Sequence, residues 1–264
     1  MPRLSRPVLG CLVQFSELLG SGSLSIAEIP AIARRLAVSG IEYREVYWKD
    51  KDAELPDARE RMRVAGLLPT YATFTPLLSA DPVERERLLG DIRDAHALGS
   101  PLLRVFRGHW PFGGDEAAMW RGGREAIALA DSLGVQLAME NFARSPGNHR
   151  HEIEAALHFI DRPSVGVNLD TANYVVNGED VVENTRALLP RIIYAHLKDT
   201  RTTDSGVQVV PVGDGELDWT TILDLFDSTG RAFPVTFEYG GGDDPERAIA
   251  RGLEGLARCG LEPG

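Results

Sequence analysis

The sequence has few cysteines and no long apolar segment. Its 264 residues include only Cys11 and Cys259, near opposite ends of the chain, and this spacing argues against a disulfide framework or a CxxC metal or redox motif. No stretch approaches the ~20 apolar residues of a membrane span, and the apolar run 8–13 is too short for the core of a signal peptide. We therefore expect an unprocessed cytoplasmic protein without a membrane partner.

Positive charge is also scarce. The chain has 28 Lys and Arg residues against 39 Asp and Glu residues, giving a formal net charge of -11. Such a field repels phosphate backbones, so nucleic acid is not an expected partner. The G-x-G-x-x-G and P-loop signatures of nucleotide sites are absent as well. These absences favour a small-molecule partner, and a homo-oligomer is compatible with them.

Short apolar runs alternate with longer segments of helical period, a pattern that predicts parallel strands joined by helices. Helix starts are marked by Ser25 with Glu28, by Asp81 before Pro82, and by other capping aspartates. The predicted strands are 8–15, 41–46, 67–74, 102–106, 135–140, 165–170, 192–196 and 235–238. Eight such units in one chain predict a single α/β domain over 1–264, a (β/α)8 TIM barrel. A doubly wound sheet uses the same alternation, but no Gly-rich fingerprint follows a strand.

Four consecutive predicted strands end in side chains that ligate metals: Glu140, Asp170, His196 and Glu238. In a barrel, the carboxyl ends of the strands meet at one mouth. Three carboxylates crowded there would raise one another's pKa unless a cation lay between them, so we expect one divalent ion. Oxygen-rich ligation with one imidazole favours Mn²⁺, with Mg²⁺, Co²⁺ and Zn²⁺ left open. The alternative is that these residues only cap helices or form salt bridges at the rim.

Around these residues the sequence resembles a known family. The pieces that carry the resemblance are Met139-Glu140-Asn141, Asn168-Leu169-Asp170-Thr171, His196-Leu197-Lys198-Asp199 and Phe237-Glu238, together with Pro211-Val212-Gly213-Asp214-Gly215 and Asp218-Trp219. They are similar to the sugar isomerase/epimerase family of xylose-isomerase-like TIM barrels, in its ketose 3-epimerase, hydroxypyruvate isomerase and inosose dehydratase branch. The resemblance extends over nearly the whole chain.

The resemblance implies a function. In the family, the residues matching Glu140, Asp170, His196 and Glu238 bind one divalent metal, and the two glutamates exchange protons with the substrate. This implies a metal-dependent isomerase or epimerase of a keto-sugar or polyol derivative. Three alternatives stay open: a lyase or dehydratase of the inosose or 3-keto-glycoside type, a catalytically silent sugar-binding barrel, and an endonuclease for abasic DNA. The last requires a His-rich multi-zinc cluster and a basic groove, and it is disfavoured because the net charge is -11 and only one of the six histidines lies at a predicted strand end.

Further substrate contacts are predicted around the mouth. Glu45, after the second strand, would accept a substrate hydroxyl or pair with Arg104 or Arg107. Lys198 shares a face with His196 by the two-residue period of a strand, and it would either enter the pocket or balance the acidic rim. Arg201 would contact an oxyanion or remain an exposed loop residue.

An aromatic loop and two departures from the family pattern complete the predicted site. His109 and Trp110 lie between glycines and are expected on a flap that closes over the ligand, with packing or a subunit contact as the alternative. Asn173 and Phe142 stand where many family members have histidine. Asp243 and Asp244, after three glycines in the last loop, would repel phosphate at a helix N-terminus, which favours an unphosphorylated substrate.

Overall fold

A computed structural model describes residues 3–108, 116–142 and 149–261, with the side chains of 116–118 left aside. Eight parallel strands close into a barrel in the order β1-β10-β7-β6-β5-β4-β3-β2, with helices on the outside. The predicted TIM barrel is therefore confirmed. The barrel strands are β1 Val8–Cys11, β2 Gly40–Arg44, β3 Leu68–Leu78, β4 Leu102–Gly108, β5 Gln136–Glu140, β6 Val165–Asp170, β7 Ile192–Leu197 and β10 Val235–Phe237.

Helices follow the strands and cover the outside of the barrel. In the described residues they are α1 Ser16–Ser21, α2 Ile29–Arg35, α3 Lys51–Ala65, α4 Pro82–Leu98, α5 Glu116–Leu133, α6 Arg150–Ile160, α7 Thr171–Val176, α8 Val181–Leu188, α9 Trp219–Ser228 and α10 Pro245–Arg258. Their starts follow the predicted signals. Asp81 accepts the Val83 N–H at 2.8 Å before α4, and Asp218 and Asp244 cap α9 and α10. No helix in the described ranges is long and apolar enough to cross a membrane.

The first strand is shorter than predicted. Residues Leu12–Phe15 form a 3₁₀ turn instead of continuing β1. The Gln14 side chain accepts the Cys11 N–H at 2.8 Å, and the Cys11 thiol accepts the Val13 N–H at 3.4 Å. These local bonds compete with strand pairing, which explains why an apolar run that reads as a strand turns at Cys11.

The third strand runs beyond its predicted end, and an antiparallel hairpin follows β7. β3 continues to Leu78 through an irregularity between Ala72 and Pro76. The hairpin consists of β8 Asp199–Thr203 and β9 Gly206–Val210, and it was not predicted. It lies outside the barrel order, so it extends the loop after β7 without changing the eight-stranded architecture.

Polar side chains fill part of the barrel interior. The hydroxyl of Tyr194 on β7 contacts the hydroxyl of Thr70 at 2.9 Å and also the hydroxyl of Thr236, and all three residues are buried. Tyr194 and His196 are two residues apart, so they share the inner face of β7. The tyrosine therefore forms a layer beneath the histidine at the mouth.

Candidate metal centre and active site

The four predicted ligands converge at the carboxyl ends of four neighbouring strands. Glu140 ends β5, Asp170 ends β6, His196 lies on β7 and Glu238 follows β10. One ligand atom from each lies within 4.8 Å of the others, and all four residues are buried. His196 Nδ1 is 3.4 Å from Glu140 Oε2, 3.4 Å from Glu238 Oε2 and 3.8 Å from Asp170 Oδ2. The geometry thus forms one compact donor set of three carboxylates and one imidazole.

This donor set fits a divalent ion. One of its atoms, His196 Nδ1, is buried without a hydrogen bond to a described residue, and two others, Asp170 Oδ2 and Glu238 Oε2, contact the ammonium of Lys198. Buried polar atoms rarely remain unsatisfied unless an ion or water completes them. Ligands that each lie about 2.1 Å from one ion are about 3 to 4 Å from each other, and the observed separations have this size. The four residues can therefore hold a metal.

Glu140 is fixed by side chains from three elements. Arg104 on β4 places its Nε 2.9 Å from Glu140 Oε2. Asn168 on β6 donates to the same oxygen at 3.3 Å, and Asn173 on α7 donates to Oε1 at 3.1 Å. Asn173, which replaces the histidine of many family members, therefore contacts the carboxylate of a candidate ligand.

Glu238 is held by two cationic side chains. The Arg44 guanidinium on β2 contacts Glu238 Oε1, and the Lys198 ammonium contacts Glu238 Oε2. Lys198 Nζ also lies 2.6 Å from Asp170 Oδ2. Lys198 thus reaches the pocket, as the shared face with His196 predicts, and its positive charge lies beside two of the candidate ligand atoms.

Asp199 anchors the loop that presents Lys198. Its Oδ2 accepts N–H groups of Gly213 at 2.9 Å and Gly215 at 3.1 Å, as well as the indole N–H of Trp219 at 2.8 Å. Its Oδ1 accepts the N–H groups of Leu217 and Thr200. The separate motif pieces at 196–199, 211–215 and 218–219 are therefore joined by one buried carboxylate.

Glu42 on β2 is a buried residue that the sequence reasoning missed. Its Oε2 lies 2.6 Å from His196 Nε2 and accepts the Tyr194 hydroxyl at 3.0 Å. Its Oε1 accepts two N–H groups of Arg44 at 2.9 and 3.0 Å and the Cys11 thiol at 3.3 Å. The signal was available, because Glu42 and Arg44 are two residues apart and therefore share one face of the strand.

The pKa values reflect this crowded charge. Burial would lower the pKa of His196, but Glu42, Glu238 and Glu140 outweigh it and raise the value to about 10. Burial raises the pKa of Asp170, and Lys198 offsets this only in part. For Glu238, burial would raise the pKa, but Arg44, Lys198 and His196 hold it well below the usual range.

The formal charges of the site nearly balance without an ion. Within the described part of the site, four carboxylates face three cationic side chains: Glu42, Glu140, Asp170 and Glu238 against Arg44, Arg104 and Lys198. With neutral His196 this leaves one net negative charge, and protonated His196 would neutralise it. A bound divalent ion with neutral His196 would leave one net positive charge at the mouth.

The other predicted contacts lie in different places. Glu45 begins a turn after β2 and accepts the Phe74 N–H at 2.8 Å through Oε1, while its Oε2 is buried without a hydrogen bond to a described residue. Arg201 is exposed on β8 and donates to the Asp214 carbonyl. His109 and Trp110 lie outside the described residues. The roles assigned to these residues remain predictions.

Three phenylalanines form an aromatic wall beside Glu140. Phe74 and Phe106 lie within β3 and β4, and Phe142 lies two residues after the end of β5. The rings of Phe106 and Phe142 stack at 4.6 Å, and Phe74 lies 5.6 Å from Phe106. The Arg104 guanidinium is 4.7 Å from the Phe106 ring centre. Phe74 and Phe142 are 45% and 40% exposed, so this wall presents apolar surface next to the cluster.

Comparison with protein families gives one decisive match. Residues 30–259 match the model of the xylose isomerase-like TIM barrel. The chain belongs to this family. It is also 28% identical over 256 residues to the human protein named "Putative hydroxypyruvate isomerase", covering 86% of this chain and 89% of that protein. Isomerases, epimerases and dehydratases are found among its relatives, so the family assignment supports an enzyme.

Solved structures agree with the barrel assignment. The D-allulose 3-epimerase of Methylomonas sp., in complex with D-allulose, aligns with a TM-score of 0.75 at 18% identity, covering 98% of this chain and 99% of that chain. The IOLI protein with a bound zinc atom aligns with a TM-score of 0.76 at 17% identity, covering 96% and 97%. At these identities the likeness shows the shared fold and leaves the reaction to be argued from the site.

Proposed function

We propose that this protein is a divalent-metal-dependent isomerase or epimerase of a small, unphosphorylated keto-sugar or related polyol, working in the cytoplasm. One observation carries the proposal: two glutamates from separate strands, Glu140 and Glu238, both lie 3.4 Å from His196 Nδ1. Each carboxylate has its own arginine, Arg104 or Arg44. Two independently held carboxylates around one candidate ion are suited to moving protons on two sides of a substrate.

The chemistry follows from these positions. A divalent ion bound here would polarise a substrate carbonyl and stabilise negative charge next to it. One glutamate then removes the proton from the carbon beside the carbonyl, and the other returns a proton from its own side. Lys198, beside Asp170 and Glu238, adds a donor for a substrate oxygen.

The metal and the substrate contacts are part of the proposal. Three carboxylates and one imidazole favour Mn²⁺, while the zinc atom in the IOLI structure makes Zn²⁺ the first alternative to test. Among the described side chains, Asn173 and Lys198 already contact ligand carboxylates, and the wall of Phe74, Phe106 and Phe142 would pack against the C–H face of a sugar. Glu45, Arg201, His109 and Trp110 are proposed as further contacts.

A dehydratase is the second candidate, favoured by Lys198. Its ammonium lies between Asp170 and Glu238 on a side chain that is 12% exposed. After the same deprotonation, a hydrogen bond from this ammonium would stabilise a departing hydroxyl, which would convert the reaction from isomerisation to loss of water.

The test is proton exchange in D₂O with the metal-loaded protein. Purified protein is stripped of metal, reloaded with Mn²⁺ or Zn²⁺, and incubated with hydroxypyruvate, free ketoses, inososes and 3-keto-glycosides. The proposal predicts deuterium incorporation beside the carbonyl of at least one substrate, with an isomer or epimer as product. An unsaturated product would identify the dehydratase. Absence of exchange in every loaded sample would contradict both reactions and support a binding barrel.

A further inference from the structure

We infer that Glu42 is a positioning residue that fixes the orientation and tautomer of His196 and so sets the metal affinity of the site. The inference rests on the metal site of the proposed function and adds a residue outside the four ligands. Glu42 Oε2 lies 2.6 Å from His196 Nε2. A carboxylate accepts hydrogen bonds only, so Nε2 carries the proton of the neutral ring and Nδ1 keeps the lone pair.

The lone pair then faces the other ligands. His196 Nδ1 has no hydrogen bond to a described residue, and it lies within 3.8 Å of one carboxylate oxygen each from Glu140, Asp170 and Glu238. Partners on the far nitrogen of a metal-binding histidine hold its tautomer and orientation, and removing them typically weakens metal binding 10–100-fold. Glu42 has the position and chemistry of such a partner.

Glu42 is itself held so that it cannot turn away. Both Glu42 and Arg44 are buried. Two N–H groups of Arg44 and the Cys11 thiol occupy Oε1, and the Tyr194 hydroxyl occupies Oε2 beside His196. Arg44 also contacts Glu238. The same carboxylate therefore orients one candidate ligand directly and a second one through its arginine.

This arrangement predicts an unusual effect for Glu42→Gln. The three donors at Oε1, two from Arg44 and one from Cys11, require the amide oxygen on their side. The amide NH₂ must then occupy the Oε2 position and face His196 Nε2. Because an NH₂ group donates, Nε2 becomes the acceptor and the ring proton moves to Nδ1, where it blocks the candidate metal position.

The experiment measures metal affinity and the ring tautomer separately from turnover. Mn²⁺ and Zn²⁺ titrations by calorimetry should show that Glu42→Gln raises the dissociation constant 10–100-fold. Two-bond ¹H–¹⁵N spectra of the histidines, recorded for the Zn²⁺-loaded proteins, should show an Nε2–H tautomer at His196 in wild type. The same spectra of metal-free Glu42→Gln at alkaline pH should show Nδ1–H.

Tyr194→Phe is the matched control. It removes the other donor to Glu42 Oε2 and disturbs the same buried layer, but it leaves the contact between Glu42 and His196 in place. We expect its metal affinity within about threefold of wild type and the same tautomer. Equal loss of metal in Tyr194→Phe and Glu42→Gln would indicate a general packing effect and overturn the inference.

Two outcomes separate this inference from the proposed function. If wild type binds no divalent metal, the proposed function and the inference both fail. If wild type binds metal and Glu42→Gln binds it equally well, only the inference fails. Should Glu42→Gln not fold, the wild-type spectrum still decides: a Zn²⁺-loaded His196 that lacks a hydrogen-bonded Nε2–H, or that ligates through Nε2, overturns the assignment.

Discussion

Lys198→Met tests whether Lys198 acts as an internal counter-ion at the candidate metal centre. Lys198 Nζ lies 2.6 Å from Asp170 Oδ2 and also contacts Glu238 Oε2. Both oxygens belong to the proposed ligand set. Methionine keeps an unbranched side chain of similar length but removes the charge. We therefore expect metal-free Lys198→Met to be less stable to unfolding than metal-free wild type. We also expect metal binding to increase the stability of Lys198→Met more than it increases that of wild type.

The sizes of the stability loss and of the gain in metal affinity follow from the burial and charge of these side chains. The Lys198 side chain is 12% exposed, and those of Asp170 and Glu238 are 0% and 9% exposed. Removing one partner of such a buried pair costs about 3–5 kcal/mol. An ion about 4 Å from the ammonium would be repelled by ~4 kcal/mol per unit charge at an effective dielectric constant of 20. Relief of one third of that energy would strengthen metal binding about tenfold.

Thermal unfolding with EDTA and with saturating Mn²⁺, combined with calorimetric metal titration, measures both effects. Lys51→Met is the control, because Lys51 forms an ion pair with Asp94 at 2.6 Å on a 44% exposed side chain. We expect a change of less than ~1 kcal/mol in Lys51→Met, independent of metal. If Lys198→Met bound Mn²⁺ more weakly than wild type, the counter-ion argument would be refuted.

Four further predictions concern the ligands, the glutamates, pH and the aromatic wall. His196→Ala should lose most of the metal, which elemental analysis of the dialysed protein checks. Glu140→Gln and Glu238→Gln, with metal content confirmed, should each lower turnover ~10²-fold or more, and near wild-type rates in both would exclude the two-glutamate mechanism. Because the pKa of His196 is raised to about 10, metal binding must release the proton of the metal-free ring, so affinity should rise about tenfold per pH unit between pH 8 and 9. Below about pH 7 the rise should be steeper, because Asp170, whose pKa is raised to about 7, must lose a proton as well, and an affinity independent of pH would contradict the assignment. Phe142→Ala should raise KM while leaving the metal dissociation constant within about twofold, as steady-state kinetics and titration would show.

The four candidate ligands could be predicted from the sequence because each lies at or next to the carboxyl end of a barrel strand. A parallel barrel brings the carboxyl ends of strands to one mouth, so predicting the strands also predicts the meeting of their last residues. This reasoning needs no knowledge of side-chain contacts. It placed Glu140, Asp170, His196 and Glu238 correctly in one cluster.

Glu42 could not be reached by that reasoning, which looked at the last acidic residue of each strand. On the second strand this is Glu45, but β2 ends at Arg44 and Glu45 begins a 3₁₀ turn. Glu42 lies below the rim and contacts His196 across 154 positions of sequence. The alternation of side chains puts Glu42 on the same face as Arg44, but the end of β2 at Arg44 and the barrel register are needed to bring that face to His196. A predicted strand that extends to residue 46 supplies neither.

The loop after β7 shows a similar limit. Its motif pieces predict which residues flank the loop, but the chain between them forms a hairpin, Asp199–Thr203 with Gly206–Val210. The sequence shows Asp199 next to Lys198. It does not show that Asp199 accepts N–H groups from Gly213, Gly215 and Trp219. These long-range bonds fix the loop and hence the position of the Lys198 backbone.

The buried charges explain why the site is suited to binding an ion instead of simply stabilising the fold. Ion pairs in a barrel interior cost desolvation energy that their attraction only partly offsets. Arg44 and Arg104 compensate Glu42, Glu238 and Glu140 from within the barrel. At the mouth, His196 Nδ1 has no hydrogen bond to a described residue, and the nearby oxygens of Asp170 and Glu238 contact the Lys198 ammonium. Because the inner pairs hold the ligand side chains in place, much of the cost of organising the site is met during folding, and metal binding has to move the Lys198 ammonium from Asp170 and Glu238 and release the proton of His196.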